Sequence, residues 1–193
     1  MSHTALVFLA GGLSRRFGRA DKLLADFRDK PLMLHAVQTA LICQFAMRFA
    51  VVPAGTGLRI KNLEQDFVPI ENKDPGTGRG RSLSLGARAC LDTGYTSACV
   101  MLADMPFVTH EHIGQLMANA AEHEITISRT GNQVLPPAVF CGRALRDLTT
   151  LAGDKGASAL DFTRYCVKYV DMSKHQAVDI DTAEDLRKYG SMV

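Results

Sequence analysis

The sequence contains no tryptophan, and phenylalanine and tyrosine bring its aromatic share to only 7%. It also lacks a charge excess, because 22 Lys and Arg stand against 20 Asp and Glu, a net charge of +2. Proteins that bind nucleic acid through phosphate neutralisation and base stacking need more of both. No apolar run approaches the roughly 18 residues that a membrane span requires. The composition therefore argues against nucleic acid and membranes as partners.

Cysteine is scarce and irregularly spaced. The five cysteines are odd in number and include no Cys-x-x-Cys pair, so they give no sign of a disulfide framework. The first residues lack the basic segment with which a secretory signal begins. We therefore predict reduced cysteines in the protein core and a cytoplasmic location.

Short apolar runs alternate with longer segments of helical periodicity along the 193 residues. This alternation indicates βαβ units, and the continuously apolar strands indicate a sheet covered on both faces. We predict an α/β fold over residues 1–193 as one domain, with a three-layer, doubly wound, mostly parallel sheet. The predicted strands are Ala5–Leu9, Arg48–Val52, Phe67–Ile70, Ala98–Leu102, Ile125–Ser128, Pro137–Cys141 and Val167–Val170.

Helices are predicted between these strands. Pro31 suits the first turn of one helix, and Leu41 would close its apolar face. Further helices are expected from Ser82 to about Leu91, over Glu111–Ala121 and over Thr182–Tyr189, and we expect the solvated start of the second to include His112. In parallel sheets of this kind, ligands bind outside the carboxyl ends of the strands. The loops after the predicted strands are therefore where chemistry is expected.

The loop after the first strand, residues 9–22, reads LAGGLSRRFGRADK. Its three glycines let backbone N–H groups approach a polyphosphate with no Cβ in the way. Ser14 can donate a hydrogen bond, Arg16 can hold phosphate oxygens bidentately, and Lys22 can add a point charge. The glycine spacing is neither that of the Walker motif nor Gly-x-Gly-x-x-Gly. The loop thus predicts a phosphate site, and the alternative is a flexible glycine loop with solvated cations.

Two acidic positions follow later strands. Asp104 stands at the end of a buried strand and can point into the crevice there, where Mg²⁺ favours one or two carboxylates with phosphates and water. An Asp in this place can also cap a local turn. Asp181 precedes the last helix, for which Asp181 or Thr182 would make a good N-cap. Asp179 would lie on the same face of an extended segment as Asp181.

The string LAGGLSRRFGRADK, followed by Lys30-Pro31-Leu32, resembles the signature of small nucleotidyltransferases that attach a nucleotide to the molybdenum cofactor. Two branches share it, the molybdopterin guanylyltransferases and the molybdopterin cytidylyltransferases. The resemblance implies a Rossmann-like nucleotidyltransferase fold and Mg²⁺ as cofactor. It also implies a nucleoside triphosphate and a molybdopterin-type phosphorylated acceptor as substrates, and a molybdoenzyme or its chaperone as a protein partner.

The same resemblance implies roles for individual residues. Lys22, Arg16 and Asp104 would be catalytic. Asp104 and Asp181 would hold the metal, with Asp179 as a weaker second choice. The nucleotide-binding positions would be Leu9, Ala10, Gly11, Gly12, Ser14, Lys22, Asn72 and Ser82. For Ser82 the alternative is the N-cap of a helix after a glycine-rich turn.

The motifs do not decide whether the nucleotide substrate is CTP or GTP. Leu9-Ala10-Gly11-Gly12 looks guanylyl-type, whereas Gly80-Arg81-Ser82-Leu83 and Gly153–Ala157 look cytidylyl-type, with Ser158 where that branch usually has Arg. CTP is slightly favoured over GTP. Nucleotidyl transfer to another phosphorylated small molecule is an alternative. A non-catalytic nucleotide-binding module on the same fold is the alternative from another class.

Overall fold

The structure is a computed structural model that describes residues 3–12, 17–18, 20–63 and 66–191. The strands are β1 (Thr4–Leu9), β2 (Asp26–Phe27), β3 (Lys30–Pro31), β4 (Arg48–Pro53), β5 (Val68–Asn72), β6 (Ser97–Leu102), β7 (Ile125–Thr130), β8 (Gln133–Cys141) and β9 (Val167–Asp171). The α-helices are α1 (Leu32–Ile42), α2 (Gly57–Lys61), α3 (Arg79–Asp92), α4 (His110–Asn119), α5 (Gly142–Leu148) and α6 (Ala183–Gly190).

Seven strands form one sheet in the order β5-β4-β1-β6-β8-β7-β9. The pairs among β5, β4, β1 and β6 are parallel, and β7 is parallel to β9. β8 is antiparallel to both of its neighbours, so it alone among the seven runs in the opposite direction. The predicted α/β, mostly parallel, doubly wound sheet is therefore confirmed.

Helices cover both faces of the sheet. One apolar cluster joins α1 and α4 to the β1 side chains of Leu6 and Phe8. The other joins α3 and α5 to Ala5 and Val7, the alternate residues of the same strand. Because β1 is buried on both faces, its sequence is continuously apolar, which is the pattern expected of a central parallel strand.

Helix positions depart from the prediction at two places. In α1, Leu41 is 37% exposed, whereas Leu32, at the start of the helix, is fully buried. Pro31 is the N-cap of α1 and not part of its first turn. In α3, Gly78 is the N-cap, with a φ of 97° that favours glycine, so Ser82 lies inside the helix and the N-cap alternative for it is wrong.

His112 was expected on a solvated turn, but it is 4% exposed. Its Nε2 lies 2.8 Å from Ser128 Oγ, and Ser128 donates its own hydroxyl proton to the carbonyl of Pro137 at 2.6 Å. Burial lowers the pKa of His112 from its ordinary 6.5. A serine on the neighbouring strand thus supplies the polar partner that lets the histidine enter the core, and sequence periodicity carries no sign of that partner.

The cysteines are free, and Cys43, Cys90 and Cys99 are buried as predicted. Cys141 is half-buried, whereas Cys166 is exposed, so the prediction of a core position is wrong for Cys166, which immediately precedes the edge strand β9. Among the helices of the described residues, none has the length and apolar character needed to cross a membrane.

Candidate active site

A cavity of about 350 Å³ opens at the carboxyl ends of β1 and β6, at the sheet edge where ligands bind in folds of this kind. Of the positions singled out from the sequence, it is lined by Leu9, Gly11, Gly12, Lys22, Ser82, Asp104, Asp179 and Asp181. Ala10 and Asn72 are fully buried and are not part of the wall. Ser14 and Arg16 lie outside the described residues.

Lys22 is the centre of this cavity's charge arrangement. Its Nζ donates to Asp104 Oδ2 at 2.8 Å, to Asp181 Oδ1 at 2.9 Å and to the carbonyl of Ile180 at 2.9 Å. The residue is only 5% exposed. Burial on its own would lower the pKa of Lys22, but the two carboxylates outweigh it and hold that pKa above the ordinary 10.5. Lys22 is therefore a charged ammonium between two aspartates.

Asp104 carries a further acceptor that Lys22 does not use. Its Oδ1 is buried and has no hydrogen-bond partner among the described residues. A buried carboxylate oxygen left in this way is costly unless a ligand completes it. Nowhere in the described part of the chain do three or more His, Cys, Asp or Glu side chains form a metal-binding group. Two carboxylates do fit Mg²⁺ or Mn²⁺ when substrate phosphates and water supply the remaining ligands.

Asp181 does not cap α6, which was one of the two roles that its sequence position allowed. Thr182 is the N-cap of α6 and forms a reciprocal capping box with Asp185. Asp185 Oδ2 also accepts from the backbone N–H of Asp181 at 3.3 Å. The capping box holds the main chain of Asp181, and its carboxylate projects to Lys22.

Asp179 lines the same cavity and is exposed. Partial burial, followed by the negative charges of Asp181 and Asp104, raises the pKa of the Asp179 carboxyl from its ordinary 3.8. Three carboxyl groups thus converge near one lysine. This excess of negative charge favours a divalent cation at the site.

Gly11 meets Ser82 at the side of the cavity. A Cβ on Gly11 would lie 2.9 Å from Ser82 Oγ, so any side chain there would push the serine away. Asn72 Nδ2 donates to the same Ser82 Oγ at 3.1 Å, and Asn72 Oδ1 accepts from the N–H of Asp74 at 3.0 Å. Asn72 therefore acts behind the wall by holding Ser82 and the following turn, whereas Ser82 itself faces the cavity.

The glycine-rich segment before α3 packs tightly against the loop after α5. Gly80 N–H donates to the carbonyl of Gly153 at 2.8 Å. A Cβ on Gly80 would lie 2.7 Å from the carbonyl oxygen of Ala152, and a Cβ on Gly78 would lie 2.4 Å from Gly153. The absence of side chains at both glycines lets the two loops touch along their backbones.

A second cavity of about 440 Å³ lies beside the first and shares Leu9, Leu102, Arg79 and Asp179 with it. Its walls are mainly apolar and come from β6, β7, β8 and the segment around Leu160. Lys155 and Arg79, both exposed, bring positive charge to it. The two cavities therefore form one cleft with a charged part and an apolar part.

Two arginines of the site were not singled out from the sequence. Arg79 begins α3 and lines both cavities, and it stands in the string Gly78-Arg79-Gly80-Arg81-Ser82, where the alternation of Gly and Arg could have drawn attention to it. Arg59, on α2, is 3% exposed and pairs with Asp21. Its sequence context has no comparable signal, because its partners are distant along the chain.

This fold and this acidic, glycine-lined cleft define a nucleotidyltransferase. Residues 6–167 match the model of a family described as the MobA-like NTP transferase domain. The chain belongs to that family.

Relatives with established names cover nearly the whole chain. The molybdenum cofactor guanylyltransferase of Shewanella halifaxensis is 23% identical over 193 residues, which cover 97% of this chain and 94% of that protein. The nicotine blue oxidoreductase of Paenarthrobacter nicotinovorans is 26% identical over 192 residues and 93% of each chain. The Mycobacterium tuberculosis protein Rv0371c, solved in complex with manganese, is 22% identical over 98% of each chain, with a TM-score of 0.75.

Proposed function

We propose that this nucleotidyltransferase transfers a nucleoside monophosphate from a nucleoside triphosphate to the terminal phosphate of a molybdopterin-type acceptor. The observation that carries the proposal is the position of Lys22, whose ammonium lies between Asp104 and Asp181 in the cavity beside the glycine loop. A buried cation next to two carboxylates, one with an unused oxygen, suits a site that receives a metal together with a polyphosphate.

The chemistry requires no general base from the protein. An oxygen of the acceptor phosphate, already anionic, forms a new bond to the α-phosphorus, and the bond between that phosphorus and the bridging oxygen breaks to release pyrophosphate. Lys22 and Arg16 offset the charge that develops on the leaving pyrophosphate. Asp104 and Asp181 would hold a divalent metal, which when bound supplies neutralisation of the phosphate oxygens. Positioning and charge neutralisation therefore account for the rate.

The second cavity is where we place the acceptor. Its volume of about 440 Å³ is in the range that encloses a small organic ligand. Walls such as Ile127, Leu135 and Phe140 suit a flat, ring-containing acceptor better than a sugar, whose hydroxyl groups would be left without partners. Arg79 and Lys155 can neutralise the acceptor phosphate at the junction with the first cavity.

Two observations bear on the base of the nucleotide, and they favour different bases. The later sequence motifs favour CTP slightly, whereas the relative from Shewanella halifaxensis is a guanylyltransferase. Of the two predicted base contacts, only Ser82 lines the cavity, and its hydroxyl group can donate to or accept from either ring, whereas Asn72 would act by holding Ser82 in place.

The test is release of pyrophosphate from the full chain with Mg²⁺, molybdopterin and each of the four ribonucleoside triphosphates in turn. We expect release with CTP or GTP and none when molybdopterin is left out. Release with neither would contradict the proposed acceptor. A turnover assay with other phosphorylated acceptors would then separate the two remaining alternatives. Transfer to another acceptor gives pyrophosphate release with one of them, whereas a non-catalytic module binds nucleotide and releases none.

A further inference from the structure

We propose that Arg59 is a positioning residue that fixes the two described ends of the phosphate-binding loop, residues 10–12 and 20–22, where they receive a triphosphate. The inference rests on the proposed function, because it assigns to that loop the binding of the nucleotide's phosphates. Arg59 lies on α2 and does not line the cavity. It would therefore act through the loop and not by contact with substrate.

The Arg59 guanidinium holds the loop at both of its ends. Its Nε donates to Asp21 Oδ2 at 2.6 Å and its Nη2 to Asp21 Oδ1 at 2.7 Å, which makes a bidentate pair. The same Nη2 donates to the carbonyl of Gly12 at 2.9 Å, and Nη1 donates to the carbonyl of Ala10. One side chain thus ties the first residues of the loop to the residue that precedes Lys22.

The contact with Ala10 determines where a backbone donor of the loop points. A trans peptide places its N–H opposite its C=O. With the Ala10 carbonyl bound to Arg59, the N–H of Gly11 faces away from the guanidinium, and Gly11 is a residue of the cavity wall. We expect this N–H to be one of the donors that meet phosphate oxygens.

The contact with Asp21 acts on Lys22. Asp21 Oδ1 also accepts from the N–H of Leu23 at 3.0 Å and so caps the short 3₁₀ turn Lys22–Leu24. That turn carries Lys22 to Asp104 and Asp181. Arg59 therefore supports both the backbone donors and the lysine, the two kinds of group that a triphosphate requires.

A purely structural role would not require an arginine. Burying an ion pair stabilises a fold little more than apolar side chains of the same volume, and often less. What the planar guanidinium adds is five donors in a fixed fork, which let it bind a carboxylate and two carbonyls at once. A lysine at this position would keep the charge but could not make all of these contacts.

The experiment compares Arg59→Lys, Asp21→Asn and Arg48→Lys in the full chain. Affinity for MgGTP and MgCTP is measured without acceptor, and then kcat and both KM values with the better nucleotide, at a temperature where circular dichroism shows all three variants folded. Arg48 is the matched control, because it also donates to backbone carbonyls, those of Ala40 and Cys43, but stands at the start of β4, the end away from the cavity.

For Arg59→Lys we expect nucleotide affinity to fall about 10-fold and kcat about 10²-fold, the size of effect that misplaced reacting groups produce. KM for the acceptor should not change, because the second cavity is built from other segments. Asp21→Asn should shift nucleotide affinity and kcat in the same direction by less, because one of the two acceptor oxygens remains while the other becomes an amide NH₂ that cannot accept from the guanidinium. Arg48→Lys should change thermal stability alone.

The inference is wrong if Arg59→Lys binds and turns over nucleotide as the unsubstituted protein does, or loses only thermal stability as Arg48→Lys does. If Arg59→Lys fails to fold, the same criteria apply to Asp21→Asn. Failure of the unsubstituted protein to bind any nucleotide would instead overturn the proposed function, and the inference with it.

Discussion

The cavity around Lys22 is lined by aspartates and glycine backbone, whereas the cavity beside it is lined mainly by valine, leucine, isoleucine and phenylalanine. The first is built where parallel strands end, so loops supply it with main-chain groups and with charged side chains. The second lies against β8, the strand that runs against the others, so side chains from a sheet face form much of its wall, together with the segment around Leu160.

The difference shows how one sheet can bind two unlike molecules side by side. Strand ends present charge and backbone donors, which suit a metal and a polyphosphate. A strand face presents side chains of alternate residues, which suit an apolar ring.

The largest expected effect is that of removing the metal-side carboxylate from the charged cavity. Asp104→Ala should lower kcat by about 10³-fold, because charge neutralisation at the phosphates is lost. The fold should persist, since Lys22 keeps its contacts with Asp181 and Ile180. Steady-state pyrophosphate release and circular dichroism check both points. The control is Asp92→Ala, which removes an exposed carboxylate at the far end of α3. Near-normal Mg²⁺-dependent turnover in Asp104→Ala would refute the site.

The next largest effect is expected from disturbing the contact between the segment before α3 and the loop after α5, both of which border the cleft. Gly80→Ala places a methyl group 2.7 Å from the Ala152 carbonyl oxygen, and overpacking of this kind costs about 1–3 kcal/mol. For a domain of this size, each kcal/mol lowers the melting temperature by about 2–4 °C, so the melting temperature should fall by about 2–12 °C, and KM should rise for both substrates. Gly114→Ala is the control, because a Cβ there meets open space within α4 and should stabilise the helix. Equal melting temperatures for the two variants would contradict the packing argument.

A charge placed in the apolar cavity should affect one substrate only. Val134 lines that cavity and is 40% exposed, so Val134→Asp leaves the core intact. We expect KM for the acceptor to rise about 10-fold, which corresponds to about 1.4 kcal/mol of lost contact, with KM for the nucleotide unchanged. The control is Val68→Asp on the edge strand β5, at a valine that is 44% exposed. If the nucleotide KM rose and the acceptor KM did not, the apolar cavity would bind the nucleotide, and the proposed assignment of the two cavities would be wrong.

The smallest effect concerns how the free energy of unfolding depends on pH through His112, which is buried on α4. The pKa of His112 is lowered by burial, so below about pH 6.5 the unfolded chain takes up the proton more readily than the native protein does. The His112 contribution to stability is therefore present above that pH and is lost as the pH falls through the native pKa. His112→Asn should show a shallower loss of stability between pH 7 and 5, by less than about 1.4 kcal/mol per pH unit, the limit for one proton. Urea unfolding at each pH measures the free energy of unfolding. If this free energy fell equally steeply with pH in His112→Asn and in the unsubstituted protein, the lowered pKa of His112 would be contradicted.

Local sequence was sufficient for the seven strands of the main sheet, although β8 begins four residues before its predicted start and the short strands β2 and β3 were not predicted. Continuous apolar runs marked β1 and β6, and the residues at their ends, among them Lys22 and Asp104, do line one cavity. These features are set by neighbours in sequence or by the general rule that ligands bind at the carboxyl ends of parallel strands.

Contacts between distant segments could not be read in the same way. Arg59 is 38 residues from Asp21, and nothing near Arg59 distinguishes it from an exposed arginine. The place of Ser82 inside α3 depends on Gly78, whose positive φ becomes visible only in the structure. His112, on α4, is buried because Ser128, on β7, accepts a hydrogen bond from its ring. For Arg59 and His112, a polar partner distant along the chain outweighs the local pattern, whereas for Ser82 the backbone conformation of Gly78 decides.

The contacts of Lys22 also order events in time. The partners of its ammonium are synthesised after it: Asp104 lies 82 residues later in the chain, and Asp181 lies 159 residues later. At about 5–20 residues per second, a ribosome needs roughly 10–30 s to deliver the second of these partners. During that interval the nascent chain holds a glycine loop and a lysine but lacks one of the two carboxylates at that lysine, so the charged cavity is complete only after Asp181 has been synthesised.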